Sequence, residues 1–379
     1  MFFQVVKGYM TNDGSLKRII ANPGGKNFSI IFSYITSKSF ESVMLDNTKQ
    51  GKSGKEVFGS DSLTVDEFLE KIGWPITHSN EKALLMLFHS YSQDKALKAK
   101  RRGDFWEFSY LKDLEYPSDQ DLEEARTSNK FIMDVIDDLN DFLIPSLEAG
   151  SPVHDRTQNI FAPLWEAMLS DPLISAFQDE MVYQAVEHLP QEPVEKYNIL
   201  QFGTGAGNST ISLIEKILEI MSDCSVHILG IEEIPILAQK SQDLVNHKIA
   251  DSLAIMKEKN LKIDFSVETQ DFYSFKISET DFNMVLGLQI LINITERALI
   301  GFFDRISHHI APDGVMILGQ STSYSKEFPY PMSIMYLPIK GFMQFPTKDE
   351  LYSAVKDFFS SVKSSGLDAI WVLKDPRQF

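Results

Sequence analysis

Three glycines and one carboxylate carry the first chemical signal in this chain. Gly203, Gly205 and Gly207 follow the apolar run Asn198-Ile-Leu-Gln-Phe202, and Asn208-Ser-Thr210 then begins a helical pattern. Val226-His-Ile-Leu-Gly-Ile-Glu232 is a second apolar run, ending on an acid 25 residues after Gly207. A strand, a glycine-rich turn and an acid at the tip of the next strand can hold a nucleoside. Small residues let backbone N–H groups approach the ligand, and the carboxylate accepts hydrogen bonds from ribose hydroxyls. The spacing is G-x-G-x-G, not the G-x-G-x-x-G of dinucleotide sites. Such a turn also arises for tight packing alone, because glycine tolerates positive φ.

The elements around these residues decide whether they face a ligand. Leu261-Lys-Ile-Asp-Phe-Ser-Val267 reads as a third strand leading into Gln270-Asp-Phe-Tyr273. Phe282-Asn-Met-Val-Leu-Gly-Leu288 reads as a fourth, and Ala311-Pro-Asp-Gly314 as a turn feeding a fifth that ends near Leu318. Thr347-Lys-Asp-Glu350 is a capping-box start for a helix running toward Gly366, and Ala369-Ile-Trp-Val-Leu373 is a last strand. Strands alternating with helices predict an α/β fold with a doubly wound, mostly parallel sheet and the ligand at the strands' C-terminal edge.

From Tyr197 to the C-terminus the chain resembles the class I S-adenosylmethionine-dependent methyltransferases. The segment Gln201 to Gly207 is similar to the family's first motif, and Glu232 to its ribose-binding acid. Asp271-Phe272 matches the Asp-aromatic pair at the adenine, and Ala311-Pro-Asp-Gly314 the Leu-Lys-Pro-Gly-Gly turn. The resemblance implies a seven-stranded Rossmann-like sheet with an antiparallel edge hairpin, and S-adenosylmethionine as cofactor. It implies cofactor contacts from Gln201, Phe202, Gly203, Thr204, Gly205 and Gly207, with Glu232 on the ribose, Asp271 on the adenine amino group and Phe272 on its ring. Three residues depart from the pattern: Gln201 stands where Asp or Glu is usual, Asn283 where Asp is usual, and Ile292 where many O-methyltransferases carry a His. A sulfonium already activates its methyl group, so the protein's task is positioning and desolvation, and a base is needed only when the acceptor must lose a proton. No catalytic base is assigned and no metal is expected. His308 and His309 read as surface or packing residues; Glu296 and Tyr324 are further candidates for substrate contact.

Composition bounds the partners. A net charge of −17 opposes general attraction to nucleic acid or anionic membrane. The single cysteine, Cys224, excludes an internal disulfide and a cysteine-cluster metal site, and suits a reducing, cytoplasmic compartment. Neither a signal-peptide pattern nor an apolar run of membrane-spanning length is present. The 379 residues, 43% of them apolar, suffice for more than one core. We divide the chain into residues 1–115 (β-containing, winged-helix-like, dimerising), 116–192 (a helical linker and substrate cap) and 193–379 (cofactor binding).

In the N-terminal part, Phe2-Phe-Gln-Val-Val6 and Phe28-Ser-Ile-Ile-Phe-Ser-Tyr34 read as strands flanking a turn at Asn22-Pro-Gly-Gly25, and 49–60 as a polar loop. Thr64-Val-Asp-Glu67 is a capping box opening a helix that ends near Gly73; a second helix surrounds Glu81–Phe88, and a hairpin turns at Gly103-Asp104. Helix, helix, hairpin is similar to a winged helix. Its cations Lys98, Lys100, Arg101 and Arg102 suit DNA phosphates, a subunit-pairing module of the kind found in two-domain methyltransferases, or merely a solvated turn. The acidic balance favours the homodimer over nucleic acid.

Residues 119–145 read as one amphipathic helix with Phe131, Val135, Leu139 and Phe142 on the apolar side, Ile132 and Ile136 widening that stripe, and Asp134, Asp137, Asp138 and Asp141 on a solvated face, broken at Pro145. Trp165, Phe177, Met181 and Tyr183 are wall residues of a substrate cavity or core residues, and the aromatic stretch Ser321–Leu337 is a lid or a packed crossover. Three functions follow from these readings. The first is methyl transfer to a small aromatic or apolar molecule. The second is a nucleoside-binding protein that has lost catalysis, and the third a winged-helix nucleic-acid protein or RNA methyltransferase.

Overall fold

Strand alternation and helix caps in the sequence account for most of the elements in the computed structural model. It describes residues 14–21, 27–46, 51–152, 171–190, 194–278, 281–291, 296–323, 333–337, 345–365 and 369–377. In chain order these form α1 (Gly14–Ala21), α2 (Phe28–Phe40), α3 (Gly54–Phe58), β1 (Ser62–Leu63), α4 (Val65–Ile72), α5 (His78–Gln93), β2 (Leu97–Arg102) and β3 (Phe105–Tyr110). Next come α6 (Asp119–Ser128), α7 (Lys130–Asp137), α8 (Leu139–Ala149), α9 (Pro172–Val186), β4 (Lys196–Phe202), α10 (Asn208–Ile220), β5 (Ser225–Glu232), α11 (Pro235–Asp251), α12 (Leu253–Glu258) and β6 (Lys262–Thr269). The chain continues through β7 (Phe282–Leu288), α13 (Glu296–Ser307), β8 (Ile310–Gly319), α14 (Ser333–Tyr336), α15 (Lys348–Val355), β9 (Phe359–Ser365) and β10 (Ile370–Pro376).

Packing groups these elements into two units that are not contiguous in sequence. One comprises Met1–Thr11, Lys26–Arg156 and Ser323–Thr347; the other comprises Asn12–Gly25, Thr157–Thr322 and Lys348–Phe379.

The second unit holds a seven-stranded sheet in the order β6-β5-β4-β7-β8-β10-β9. Strands β6, β5, β4, β7 and β8 pair in parallel, while β10 runs antiparallel to both β8 and β9. The chain winds outward from β4 on one side and restarts at β7 on the other, so β4 lies at a topological switch point. Successive residues of a strand face opposite sides. Ile199 therefore joins a core cluster with Ile214, Ile228 and Val245, while Leu200 and Phe202 join another with Phe302, Phe303 and Leu351. Met181 belongs to the first cluster and is fully buried, so it packs as a core residue.

Three expectations for this unit change in detail. The turn at 311–314 lies inside β8 as a bulge, because the register jumps from Phe282 opposite Ile310 to Met284 opposite Val315. The C-terminal helix stops at Val355, and 359–365 is a strand pairing with β10. Tyr183 is exposed, with the Arg18 guanidinium 4.2 Å above its ring. Arg18 itself makes bidentate bonds of 2.6 and 2.7 Å to the buried carboxylate of Glu180, tying α1 to α9.

The other unit corrects more of the reading. The stretch expected as a strand at 28–34 is α2, which continues into a π-helical turn over Glu41–Leu45. A short apolar run does not distinguish strand from buried helix by period. Here the hydroxyls of Thr36, Ser39 and Ser42 bond back to the carbonyls of Phe32, Thr36 and Lys38, so polar residues sit inside a buried helix without loss of partners. The polar loop expected at 49–60 contains α3, opened by a Ser53–Glu56 capping box. The capping box at Thr64–Glu67 and the stop at Gly73, which takes left-handed φ of 78°, form as expected. The hairpin β2–β3 also forms, and β1 adds to its far side in the order β1-β3-β2.

The single helix expected over 119–145 is three, interrupted at Asn129 and Asp138, and Pro145 lies inside α8, which ends at Gly150. Ile132, Met133 and Ile136 form the buried side, whereas Phe131 is 45% exposed. Asp137 is not merely solvated: it accepts hydrogen bonds from Arg126 and Tyr34. Burial alone would raise the Asp137 pKa, yet those two donors hold it below the usual carboxylate range, and burial beside Asp137 pushes Tyr34 up to about 12. The helix α14 is buried and packs on α2, with Tyr336 edge-on to Phe345 at 5.5 Å. Residues 333–336 of the 321–337 segment are thus packed against α2. Residues 2–6, 22–25 and Trp165, Tyr324 and Ile292 lie outside the described residues.

Candidate nucleoside-binding site

The glycine turn leaves β4 with three left-handed residues: φ is 67° at Gly203, 55° at Gly205 and 97° at Gly207. L side chains avoid these angles, which explains glycine at each alternate position. The turn is closed by Gly207 N–H donating to the Thr204 carbonyl at 2.9 Å and anchored by Gly203 N–H donating to the Ile231 carbonyl of β5 at 2.8 Å. Gly207 meets a second demand. A Cβ there would lie 3.0 Å from Val245 Cγ2 and 3.2 Å from Ser241 Oγ, so α11 packs directly on the turn. The N-terminus of α10 follows at once, with Gly207 in the N-cap position.

Glu232 ends β5 beside this turn and is 5% exposed. Its Oε2 accepts from Gly205 N–H at 2.9 Å and its Oε1 from Ile234 N–H at 3.0 Å. Each carboxylate oxygen has two lone pairs, so one backbone donor does not exhaust it. A buried carboxylate held between two backbone amides, at the tip of the strand next to a glycine cradle, is an acceptor that fits the hydroxyls of a ribose cis-diol.

The loop after β6 packs against the glycine turn. Phe272 is buried, stands edge-on to Phe202 at 6.1 Å, and its Cζ would lie 3.7 Å from a Cβ on Gly203. Ile290, after β7, approaches the same point at 3.1 Å and is also buried. Asp271 is exposed, and its Oδ1 accepts from Tyr273 N–H, Ser274 N–H and Ser274 Oγ–H at 2.9, 2.9 and 3.1 Å. The neighbour of the strand-tip acid, Glu233, accepts from Phe272 N–H at 2.9 Å through Oε1. Two adjacent acids at a strand tip were visible in the sequence; nothing local indicated that the second would reach across to the 271–272 loop.

The two amide departures have structural roles. Gln201 is buried; its Nε2 donates to Ser209 Oγ at 2.9 Å and its Oε1 accepts from Thr210 Oγ–H at 2.9 Å. Both ends of the amide therefore tie β4 to the first turn of α10. Asn283 Oδ1 accepts from Asn198 N–H at 2.8 Å at the opposite end of the strand. Thr204 Oγ1 is buried without a partner among the described residues, and its methyl sits where a Cβ on Gly230 would lie 2.6 Å away. At the ends of β7 and β8 the residues are amides again. Gln320 Oε1 accepts from Leu291 N–H at 2.9 Å, and Gln289, held at a left-handed φ of 52°, donates to Ser321 Oγ at 2.7 Å. No sequence pattern announced this pair.

No protein-family model and no curated protein sequence matches the chain. Solved structures do match. The CurJ carbon methyltransferase superposes with a TM-score of 0.59 at 12% identity, covering 93% of this chain and 92% of that one. The CMeT domain of the citrinin polyketide synthase gives 0.60 at 11% identity, over 99% and 96% of the two chains. The chain has the class I methyltransferase fold. A third neighbour with that fold, the DszA carbon methyltransferase, gives 0.55 at 12% identity over 96% of each chain. The superposed lengths take in residues of both units.

Proposed function

We propose that this protein binds S-adenosylmethionine and transfers its methyl group to a small organic molecule. The observation that carries this reading is the buried Glu232 carboxylate clasped by Gly205 N–H beside the glycine turn. In this reading Glu232 takes the ribose hydroxyls, the turn from Phe202 through Gly203, Thr204 and Gly205 to Gly207 lies along the amino-acid end, and Phe272 packs on the base. Gln201 acts indirectly, by holding that turn against α10. When bound, the sulfonium supplies an activated methyl group. The chain's own contribution is to orient it and keep water away, with Ile290, Phe272 and Phe202 as the apolar wall. Carbon acceptors come first for testing, because CurJ and DszA, two of the neighbours named above, are carbon methyltransferases. We expect micromolar binding of S-adenosylmethionine by calorimetry, and transfer of label from methyl-labelled cofactor into a metabolite extract. An absence of binding would remove the proposal.

A second reading, a nucleoside-binding protein without catalysis, is favoured by the amide pair Gln289 and Gln320 at the end of β7 and β8. Amides do not accept a proton at neutral pH. Cofactor binding without any transfer of label would select it. Nucleic acid is not the proposed partner. Of the four hairpin cations, Arg102 is paired with Glu107 at 2.9 Å, and the chain's charge is −17.

The order helix α3, strand β1, helices α4 and α5, and hairpin β2–β3 supports a winged-helix-like unit that pairs two copies of the chain. A dimer mass by light scattering at micromolar concentration is the expected result; a monomer counts against it. Among the described residues no helix is long and apolar enough to cross a membrane. A cytoplasmic location is our reading of the single buried cysteine, Cys224.

A further inference from the structure

We infer that Tyr273 is a positioning residue for the proposed cofactor site: its hydroxyl fastens together the two walls that meet at the glycine turn. This rests on the cofactor reading above and adds to it a residue that acts through others. The walls come from opposite sides of β4. Phe272 follows β6 and Ile290 follows β7, and in the sheet those two strands are separated by β5 and β4. Both side chains converge on one point, because a Cβ on Gly203 would lie 3.1 Å from Ile290 Cγ2 and 3.7 Å from Phe272 Cζ. Tyr273 Oη–H donates to the Ile290 carbonyl at 2.9 Å. One hydrogen bond therefore joins the two segments that border Gly203.

The turn after β7 needs such a hold. Gln289 stands at a left-handed φ of 52°, an angle that L side chains seldom take and that persists only where surrounding bonds fix it. Gln289 N–H donates to the Gly319 carbonyl at 2.7 Å, and Leu291 N–H donates to Gln320 Oε1 at 2.9 Å; both bonds come from the β8 side. The Ile290 carbonyl between them is held from the other direction, by Tyr273. Tyr273 is itself fixed. Its ring packs on the core cluster that includes Phe202, Phe272 and Ile290, and its carbonyl accepts from Arg305 Nη1 of α13 at 2.6 Å. The Arg305 guanidinium also lies 5.3 Å from the centre of the Phe275 ring. A turn tethered only along β8 is free to swing about the strand end and carry Ile290 away from Gly203. The tether from Tyr273 removes that freedom and sets the distance between the walls. A pocket whose walls are set before the ligand arrives loses less affinity to ordering them.

The test measures S-adenosylhomocysteine affinity by calorimetry, and the melting temperature without ligand, on the full chain. Tyr273→Phe keeps the ring and removes the bond. It is expected to weaken binding by about fivefold, the worth of one neutral hydrogen bond, and to melt within about 3 °C of the unaltered chain. Tyr197→Phe is the matched control. The Tyr197 hydroxyl also donates to a backbone carbonyl, that of His188 at 3.3 Å, but at the end of β4 away from the glycine turn. Its removal should leave the affinity within about twofold. A loss in Tyr273→Phe that Tyr197→Phe does not share is the mark of positioning, since general loosening of the fold would follow either deletion. An affinity in Tyr273→Phe within about twofold of the unaltered chain overturns the inference, and so does an equal loss in Tyr197→Phe. Arg305→Met decides the matter if Tyr273→Phe melts early. It releases the Tyr273 carbonyl from the protein surface and is expected to weaken binding by about threefold; an unchanged affinity there overturns the inference. If the unaltered chain does not bind S-adenosylhomocysteine, the cofactor reading fails and this inference with it. Binding that is insensitive to Tyr273 removes this inference alone.

Discussion

Glu232→Ala is expected to weaken S-adenosylmethionine binding by at least about tenfold, because charge-assisted hydrogen bonds to the ribose are lost. The same change should lower stability. In the folded chain the carboxylate accepts from Gly205 N–H and Ile234 N–H, and the residue is 5% exposed. Alanine leaves both donors without that acceptor, at a cost of about 1–3 kcal/mol for each one that water cannot reach. Glu232→Gln separates the two effects. Its amide oxygen can still accept from one backbone donor, so more stability is retained, while the charge that strengthens the ribose bonds is gone. Calorimetry and thermal melting of the two variants together read both terms. An affinity unchanged in Glu232→Ala would take this residue out of the binding site, and the functional proposal would lose its main support.

Gly207→Val is expected to be the most damaging single change in the glycine turn. The residue stands at a φ of 97°, and a Cβ would lie 3.0 Å from Val245 Cγ2 and 3.3 Å from the Ser241 Cα. Backbone strain at such an angle costs of order 1–3 kcal/mol, and overpacking against a helix adds about as much again. We therefore expect a loss of about 2–5 kcal/mol in denaturant unfolding, with loss of cofactor binding even where the chain still folds. Gly103→Ala is the matched control. Gly103 also has a left-handed φ, 64°, but nothing lies within 4 Å of its would-be Cβ. Its substitution should show the strain alone, about 1 kcal/mol. Should Gly207→Ala prove no worse than Gly103→Ala, the packing of α11 on the turn is not what demands glycine there.

These two residues were both legible before the structure, and for the same reason. Each belongs to a short segment whose function depends on local geometry: a left-handed turn needs glycine, and a strand tip places its last side chain at the sheet edge. The helix stops and starts with local chemistry were legible too. Thr64 and Glu67 cap α4 as their spacing requires, and Gly73 ends it. By contrast, α2 was misread as a strand because seven largely apolar residues satisfy either period. Its helical state follows from burial on several sides, which a segment does not encode alone. The run 119–145 kept its helical character but was divided at Asn129 and Asp138. The Asp137 pairing with Arg126 and Tyr34 brings together residues from three separate helices.

The amino-acid order determined that strands and helices alternate along most of the described residues after 196, that the first turn must be left-handed, and that an acid closes the second strand. Those are properties of neighbours within one or two elements, where propensity and spacing act directly. Which loop Glu233 reaches, what Gln201 holds, and that an amide pair stands at the end of β7 and β8 were decided only by folding. The partners lie far apart in the chain: Glu233 with Phe272, and Gln320 with Leu291. Hydrogen bonds between such residues depend on the sheet order and register that bring their loops to one edge, and no local pattern carries that information.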